Sequence, residues 1–234
     1  MDTKELILQK LNELNLANLR ARPYDCSFSL LDSPKEEKRL IIVGFNGSLA
    51  DDCWTNSTAI EHGFYNPDFF NVIEGSEGKW KAATLPNRLI EVPKELGFDP
   101  YKTIYTNAIL LCSNDANGII ERTQNESINL DALIENSMKF FADVTLNLSH
   151  PELIIVFGNG NDKYSTANIL YKYFSISDIQ EVESSNYYKT FSFLSKINNR
   201  KIPVVCIRHM SRFKPNIDLI KEAWDKQKEN LTEY

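Results

Sequence analysis

Three short segments carry side chains able to do chemistry, and each ends or interrupts an apolar run: Gly44-Phe-Asn-Gly-Ser48, Thr106-Asn-Ala-Ile-Leu110 and His209-Met-Ser-Arg-Phe213. Two of them contribute a carboxamide, Asn46 and Asn107, which presents one donor and one acceptor to a polar ligand. The third contributes His209, whose imidazole titrates near neutrality. Each has an ordinary alternative: Asn46-Gly47 is also a favoured type I′ turn, Asn107 also satisfies a local backbone group, and His209 is also an unremarked residue at a strand end. No alternating strand follows Gly47, which argues against a simple hairpin. Around the third segment, residues 196–214 hold Lys196, Arg200, Lys201, Arg208, Arg212 and Lys214 and no Asp or Glu. That stretch reads as a local positive patch suited to phosphates, on a chain whose 32 acidic and 26 basic residues leave a charge of −6.

The elements that must position these residues follow from periodicity. With 234 residues, 42% of them apolar, the chain can bury one substantial core and is expected to form a single domain over 1–234. Leu6, Ile7, Leu11, Leu14 and Leu19 recur at helical spacing, which predicts a helix over about 3–19 that braces a core spanning about 38–231. Apolar, β-branched runs predict strands at Arg39–Gly44, Thr103–Ile109, Leu153–Phe157 and Ile202–Ile207, with a further edge strand at Tyr187–Leu194. Helical patterns lie near Leu130–Leu148, stopped by Pro151, and over Ser165–Tyr173 and Asn216–Glu229. The stretch 50–99 has poor periodicity and reads as a long irregular segment containing short helices that the pattern does not place. Strands separated by helices predict a three-layer α/β/α sandwich with a mostly parallel four-stranded central sheet. Ligands of such sheets bind beyond the carboxyl ends of the strands, where all three segments fall.

Other classes are disfavoured. Cys26, Cys53, Cys112 and Cys206 lie far apart with no C-x-x-C pair, so they read as buried free thiols and imply no metal or iron–sulfur cluster. No signal-peptide block or bilayer-length apolar run is present, and the expected state is a cytoplasmic monomer with no membrane partner and no cofactor. Asp51 and Asp52 suit a nucleotide hydrolase on a Rossmann-like sheet, but the phosphate loop with Gly-Lys-Ser and the G-x-G-x-x-G fingerprint are both missing.

In order, spacing and placement the three segments resemble the motifs of the uracil-DNA glycosylase superfamily over about residues 38–215. Gly44-Phe-Asn-Gly-Ser48 is similar to its first motif (GQDPY, GINPG or GMNPG), Thr106–Leu110 to its LLNAVLT segment and His209–Phe213 to its last motif (HPSPL, HPSPR or NPSGL). The resemblance implies a monofunctional DNA glycosylase that flips a damaged or modified pyrimidine out of DNA and hydrolyses its N-glycosidic bond, leaving an abasic site. Bond breaking builds positive charge on the sugar and negative charge on the leaving base, and the carried-over roles answer both. Asn46 would orient the attacking water through its carbonyl, without a carboxylate's basicity, and His209 would donate a hydrogen bond to the departing base. Asn107 would read the base edge. Gly44, Phe45 and Ser48 would line the base site, with Phe64 or Tyr65 as the stacking face. Phe213 would wedge into the gap left by the flipped nucleotide, and Arg208, Ser211, Arg212 and Lys214 would hold DNA beside it.

The chain departs from the family at Gly47 and Met210, where the motifs carry proline, and this bears on catalytic efficiency. Ser48, where the uracil-specific branch has tyrosine, leaves room for 5-substituted pyrimidines. Two alternatives remain open beside repair of the cell's own DNA: a non-catalytic DNA or nucleotide-binding module on the same fold, and a glycosylase acting on modified foreign DNA.

Overall fold

The computed structural model describes residues 2–21, 31–47, 54–63, 84–113, 115–185 and 189–231. Its strands are β1 (Arg20–Ala21), β2 (Leu40–Asn46), β3 (Trp54–Thr55), β4 (Ile104–Ile109), β5 (Leu153–Phe157), β6 (Gln180–Ser184), β7 (Lys189–Ile197) and β8 (Arg200–Ile207). Its helices are α1 (Thr3–Glu13), α2 (Asn56–Gly63), α3 (Thr84–Glu95), α4 (Ala116–Asn125), α5 (Leu130–Phe140), α6 (Thr166–Phe174) and α7 (Ile217–Asn230). A π-helical turn, Phe141–Thr145, continues α5.

β2 and β5 are apolar at almost every position because both of their faces are covered. Ile41, Val43, Ile154 and Val156 join a cluster with residues of α1, α5 and α6. Leu40, Ile42, Leu153, Ile155 and Phe157 alternate onto the other face, where they meet Val92 of α3 and Ile220 and Ala223 of α7. The result is an α/β fold with helices on both sides of one sheet.

The sheet is larger than expected. The four expected strands pair in parallel in the order β4-β2-β5-β8, but the sheet continues through antiparallel β7 and β6 to six strands. The expected edge strand at 187–194 is therefore an interior one, with β6 outside it. β8 and β7 form a hairpin about Asn198 and Asn199, whose φ angles of 50° and 62° are those of a type I′ turn. The type I′ turn thus falls there and not at Asn46-Gly47, because β2 runs parallel to both of its neighbours.

This hairpin also corrects the charge reading. β8 carries the chain about 26 Å from Arg200 to Arg208 at the usual rise per residue. Lys196 pairs with Lys201 beside the turn, at the end of the sheet opposite Arg208. Arg200 donates from Nη1 to Ser149 O (3.0 Å) and from Nη2 to Leu146 O. Half of the basic stretch therefore belongs to the far end of the molecule, and only Arg208, Arg212 and Lys214 stay at the carboxyl end of the parallel strands.

The amino-terminal helix is shorter than its pattern. An Asp2/Glu5 capping box starts it, it ends at Glu13, and Ile7 and Leu11 are fully buried. Lys4 Nζ donates to Glu61 O of α2 at 3.0 Å, which makes α1 a brace on α2. Among the described residues no helix is long and apolar enough to cross a membrane.

Replacing Arg200 with Ala leaves the buried Leu146 and Ser149 carbonyls without their charged donor. Chemical denaturation of Arg200→Ala should show a loss of about 1–3 kcal/mol of stability, while the His209 signal at the other end of the sheet stays unchanged by NMR.

Candidate functional site

Parallel register sets the geometry. Gly44 of β2 pairs with Asn107 of β4, and Phe157 at the end of β5 pairs with Ile207 of β8, two residues before His209. A Cβ built on Gly44 would lie 2.9 Å from Asn107 Oδ1 and 2.7 Å from Phe157 Cζ, so those two side chains meet over the glycine. The Phe157 ring in turn packs edge-on against His209, with centroids 5.1 Å apart and an interplanar angle of 80°. Asn107, Gly44, Phe157 and His209 therefore form one continuous row across the ends of four strands, on the face covered by α3 and α7.

Asn46 lies two residues beyond Gly44 on β2. Its Nδ2 donates to Gly47 O (2.9 Å), Leu111 O (3.3 Å), Ser113 O (3.2 Å) and Ser113 Oγ (2.8 Å). The Ser113 hydroxyl accepts that bond because its own proton goes to Asp115 O at 2.6 Å. Backbone carbonyls only accept, so turning the amide over would set oxygen against oxygen, and its orientation is fixed. The loop after β4 holds the nitrogen end, and among the described residues no donor is bonded to carbonyl Oδ1. Gly47 O also accepts from Ser113 N (2.9 Å), which ties the end of β2 to the loop after β4.

His209 is held by its own turn. Its Nδ1 faces Ser211 N at 3.2 Å and Ser211 Oγ at 2.7 Å. A backbone N–H can only donate, so Nδ1 is the acceptor and the imidazole proton resides on Nε2. Burial, with the nearby Arg212 charge, lowers its pKa from the ordinary value of 6.5. Folding thus favours the neutral ring: the stability this provides is fully present above pH 6.5 and is lost as pH falls through the lower folded value. Arg212 N and Phe213 N both donate to His209 O at 3.0 Å, closing the turn.

Met210 points inward and is fully buried between the sheet and α3, and its carbonyl accepts from Arg88 Nη1 of α3. An apolar anchor and a guanidinium thus hold the turn.

The remaining expected residues are distributed as follows. Phe45 is half-buried on the opposite face of β2, packed on the cluster that includes α1 and α5, and so points away from Gly44 and Asn46. Ser211, expected among the DNA contacts, directs its hydroxyl and N–H to His209. Phe213 is half-buried under the Arg208 guanidinium, 4.0 Å above its ring. Arg212 and Lys214 are exposed. Ser48, Asp51, Asp52, Phe64 and Tyr65, with Cys26 and Cys53, lie outside the described residues.

Lys189 and Lys163 were not anticipated. Lys189 opens β7 beside the end of β8 and bonds Asn161 Oδ1 at 2.7 Å, and Lys163 lies in the loop after β5. Both join Arg208, Arg212 and Lys214 at the carboxyl end, where Asp162, Glu183 and Asp218 also lie. Phe157, Ser113 and Arg88 were missed as well, and only the position of Phe157 at a strand end could have flagged one of them; Ser211 was expected, but as a DNA contact and not as the partner of His209.

Cys112 and Cys206 are buried free thiols, and burial pushes Cys206 well above the ordinary thiol range. Among the described residues no group of three or more His, Cys, Asp or Glu side chains is placed to hold a metal ion.

An Asn46→Asp substitution would set a carboxylate oxygen against the Leu111 and Ser113 carbonyls. It should lower stability in urea by about 1–3 kcal/mol near neutrality and regain part of that on acidification, as the carboxyl protonates and can donate again. No family model, curated protein or solved structure matches the chain.

Proposed function

We propose that this chain is a DNA glycosylase built on a uracil-DNA glycosylase-like sandwich. It takes a flipped, damaged or modified pyrimidine at the carboxyl end of the parallel strands and hydrolyses its N-glycosidic bond. The observation that carries this reading is the row Asn107–Gly44–Phe157–His209, joined on β2 by an Asn46 amide whose nitrogen is held by the loop after β4. Such a row has the groups the reaction needs. Asn107 matches the hydrogen-bonding edge of a pyrimidine. Nε2–H of a neutral His209 donates to the base oxygen as negative charge develops there, and a neutral donor loses no proton stabilised elsewhere. Asn46 Oδ1 orients a water toward the sugar carbon without deprotonating it, which suits a dissociative reaction whose electrophile is already cationic.

DNA is the partner this reading requires, and the cations at that end supply its phosphate contacts. Arg208, Arg212 and Lys214 flank the Phe213 wedge on one side, and Lys189 and Lys163 extend the charge toward β7 and β5. An otherwise acidic body then confines nucleic acid to one end. A second reading, binding without cleavage, is favoured by the absence of a carboxylate at position 46. It differs in one result: no base is released.

The test is incubation of the full chain with single- and double-stranded oligonucleotides containing uracil, mismatched thymine, hydroxymethyluracil and modified cytosines, followed by detection of abasic sites. Release of at least one base is expected, and none across the panel at several salt concentrations would defeat the reading. His209→Ala should slow release by about 100- to 1000-fold, the usual effect of removing one donor to a developing anion. The wild-type rate should fall on acidification with a midpoint below 6.5, as His209 acquires its second proton and Ser211 N–H loses its acceptor.

Arg212→Ala and Lys189→Ala should each weaken DNA binding uniformly across sequences and reduce the slope of log K against log salt by about 1. Lys196→Ala and Lys201→Ala, at the far end, should leave that slope unchanged, and a drop equal to that of Arg212→Ala would show that DNA lies elsewhere.

A further inference from the structure

The glycine at position 44 is explained by space and not by backbone conformation, since it is absent from the glycines with positive φ. A Cβ there would meet Phe157 Cζ at 2.7 Å and Asn107 Oδ1 at 2.9 Å, closer than packed side chains approach, and Phe157 Cε1 at a tight 3.3 Å. The ring that occupies this space is the last residue of β5, buried at 8% exposure, and its other flank is the His209 imidazole. Phe157 is thus wedged between the bare backbone of β2 and the ring of His209.

We propose that Phe157 is a positioning residue for His209, and that Gly44 is bare so that Phe157 can do this. Two constraints then act on the imidazole from different directions. Ser211, from its own turn, decides which nitrogen carries the proton. Phe157, from β5, sets the plane of the ring through an edge-to-face contact and keeps water from that side. Together they aim Nε2–H. Phe157 brings no charge to the imidazole. The charged side chain whose field reaches it is Arg212, from the same turn, and Arg88 of α3 is bonded one residue away at Met210 O. The positioning role rests on the reading above only for what Nε2–H acts on. The orientation itself is a property of the unliganded chain.

The test is nitrogen-detected NMR of the imidazoles in the full chain, which has His62, His150 and His209, with His209→Gln to assign the signal. Wild type should show His209 protonated at Nε2, with a titration midpoint below 6.5 and a nuclear Overhauser contact to the Phe157 ring. Phe157→Leu keeps an apolar side chain but removes the ring. It should raise the His209 midpoint toward the ordinary value and mix its tautomers, leave the other histidines unchanged, and lower kcat for base release about tenfold with little change in KM. Gly44→Ala should act in the same direction by displacing the ring. Adding Phe157→Leu to it should bring no further change in the His209 signal, because the smaller side chain relieves the clash with the ring.

If Phe157→Leu folds with the His209 midpoint and tautomer of wild type, the ring is core packing only and the proposal is overturned. Should that variant not fold, Phe157→Met and the wild-type Overhauser contact decide in the same way, and absence of the contact overturns it. NMR shifts as described, with no base released by wild type, would support the positioning role and count against the glycosylase assignment alone.

Discussion

Parallel pairing of β2 between β4 and β5 is the constraint on which the rest of the site depends. It places Gly44 beside Asn107 and, through β5 and β8, brings Phe157 level with the turn that bears His209. Side chains alternate along a strand, so a slip of one residue in β2 would turn Asn46 into the helical layer and bring Phe45 out over the site. Such a slip is resisted along the whole strand: Ile41 and Val43 are buried in one layer, Leu40 and Ile42 in the other, and neither pair can be exchanged without exposing the other's partners. The core thus holds the register, and the register holds the chemistry.

Much of this was legible in the sequence because buried parallel strands are written as continuous apolar runs. The runs ending at Gly44, Ile109, Phe157 and Ile207 mark the four parallel strands, and capping residues Ser165 and Asn216 mark the helices that follow. β6 was not legible: its Gln-Glu-Val-Glu-Ser pattern is that of a half-solvated edge, with Val182 its single apolar residue. Neither was α3, because Pro86 and Pro93 look like helix breakers, although the first falls in the opening turn and the second in the last.

The site divides along the same line. Asn46, Asn107 and His209 stand at strand ends and carry polar groups in apolar surroundings, which a linear pattern reveals. Ser113, Arg88 and Phe157 matter only through what the fold brings beside them, and a serine in a loop or a phenylalanine in a strand has no local mark of that. Charge behaved in the opposite way. Lys196, Arg200 and Lys201 look continuous with Arg208 and Arg212 along the chain, and the hairpin carries them to opposite ends, whereas Lys189, distant in sequence from Lys163, ends beside it.

Met210 carries a consequence of its own. Its side chain is buried in the layer that α3 and α7 share with the sheet and its carbonyl accepts from Arg88, so the turn bearing the imidazole is tied both to the core and to this helix. Loosening the turn therefore means drawing Met210 out of the hydrophobic layer and breaking the Arg88 bond. A surface loop of this kind would ordinarily fray; here it inherits the firmness of the interior.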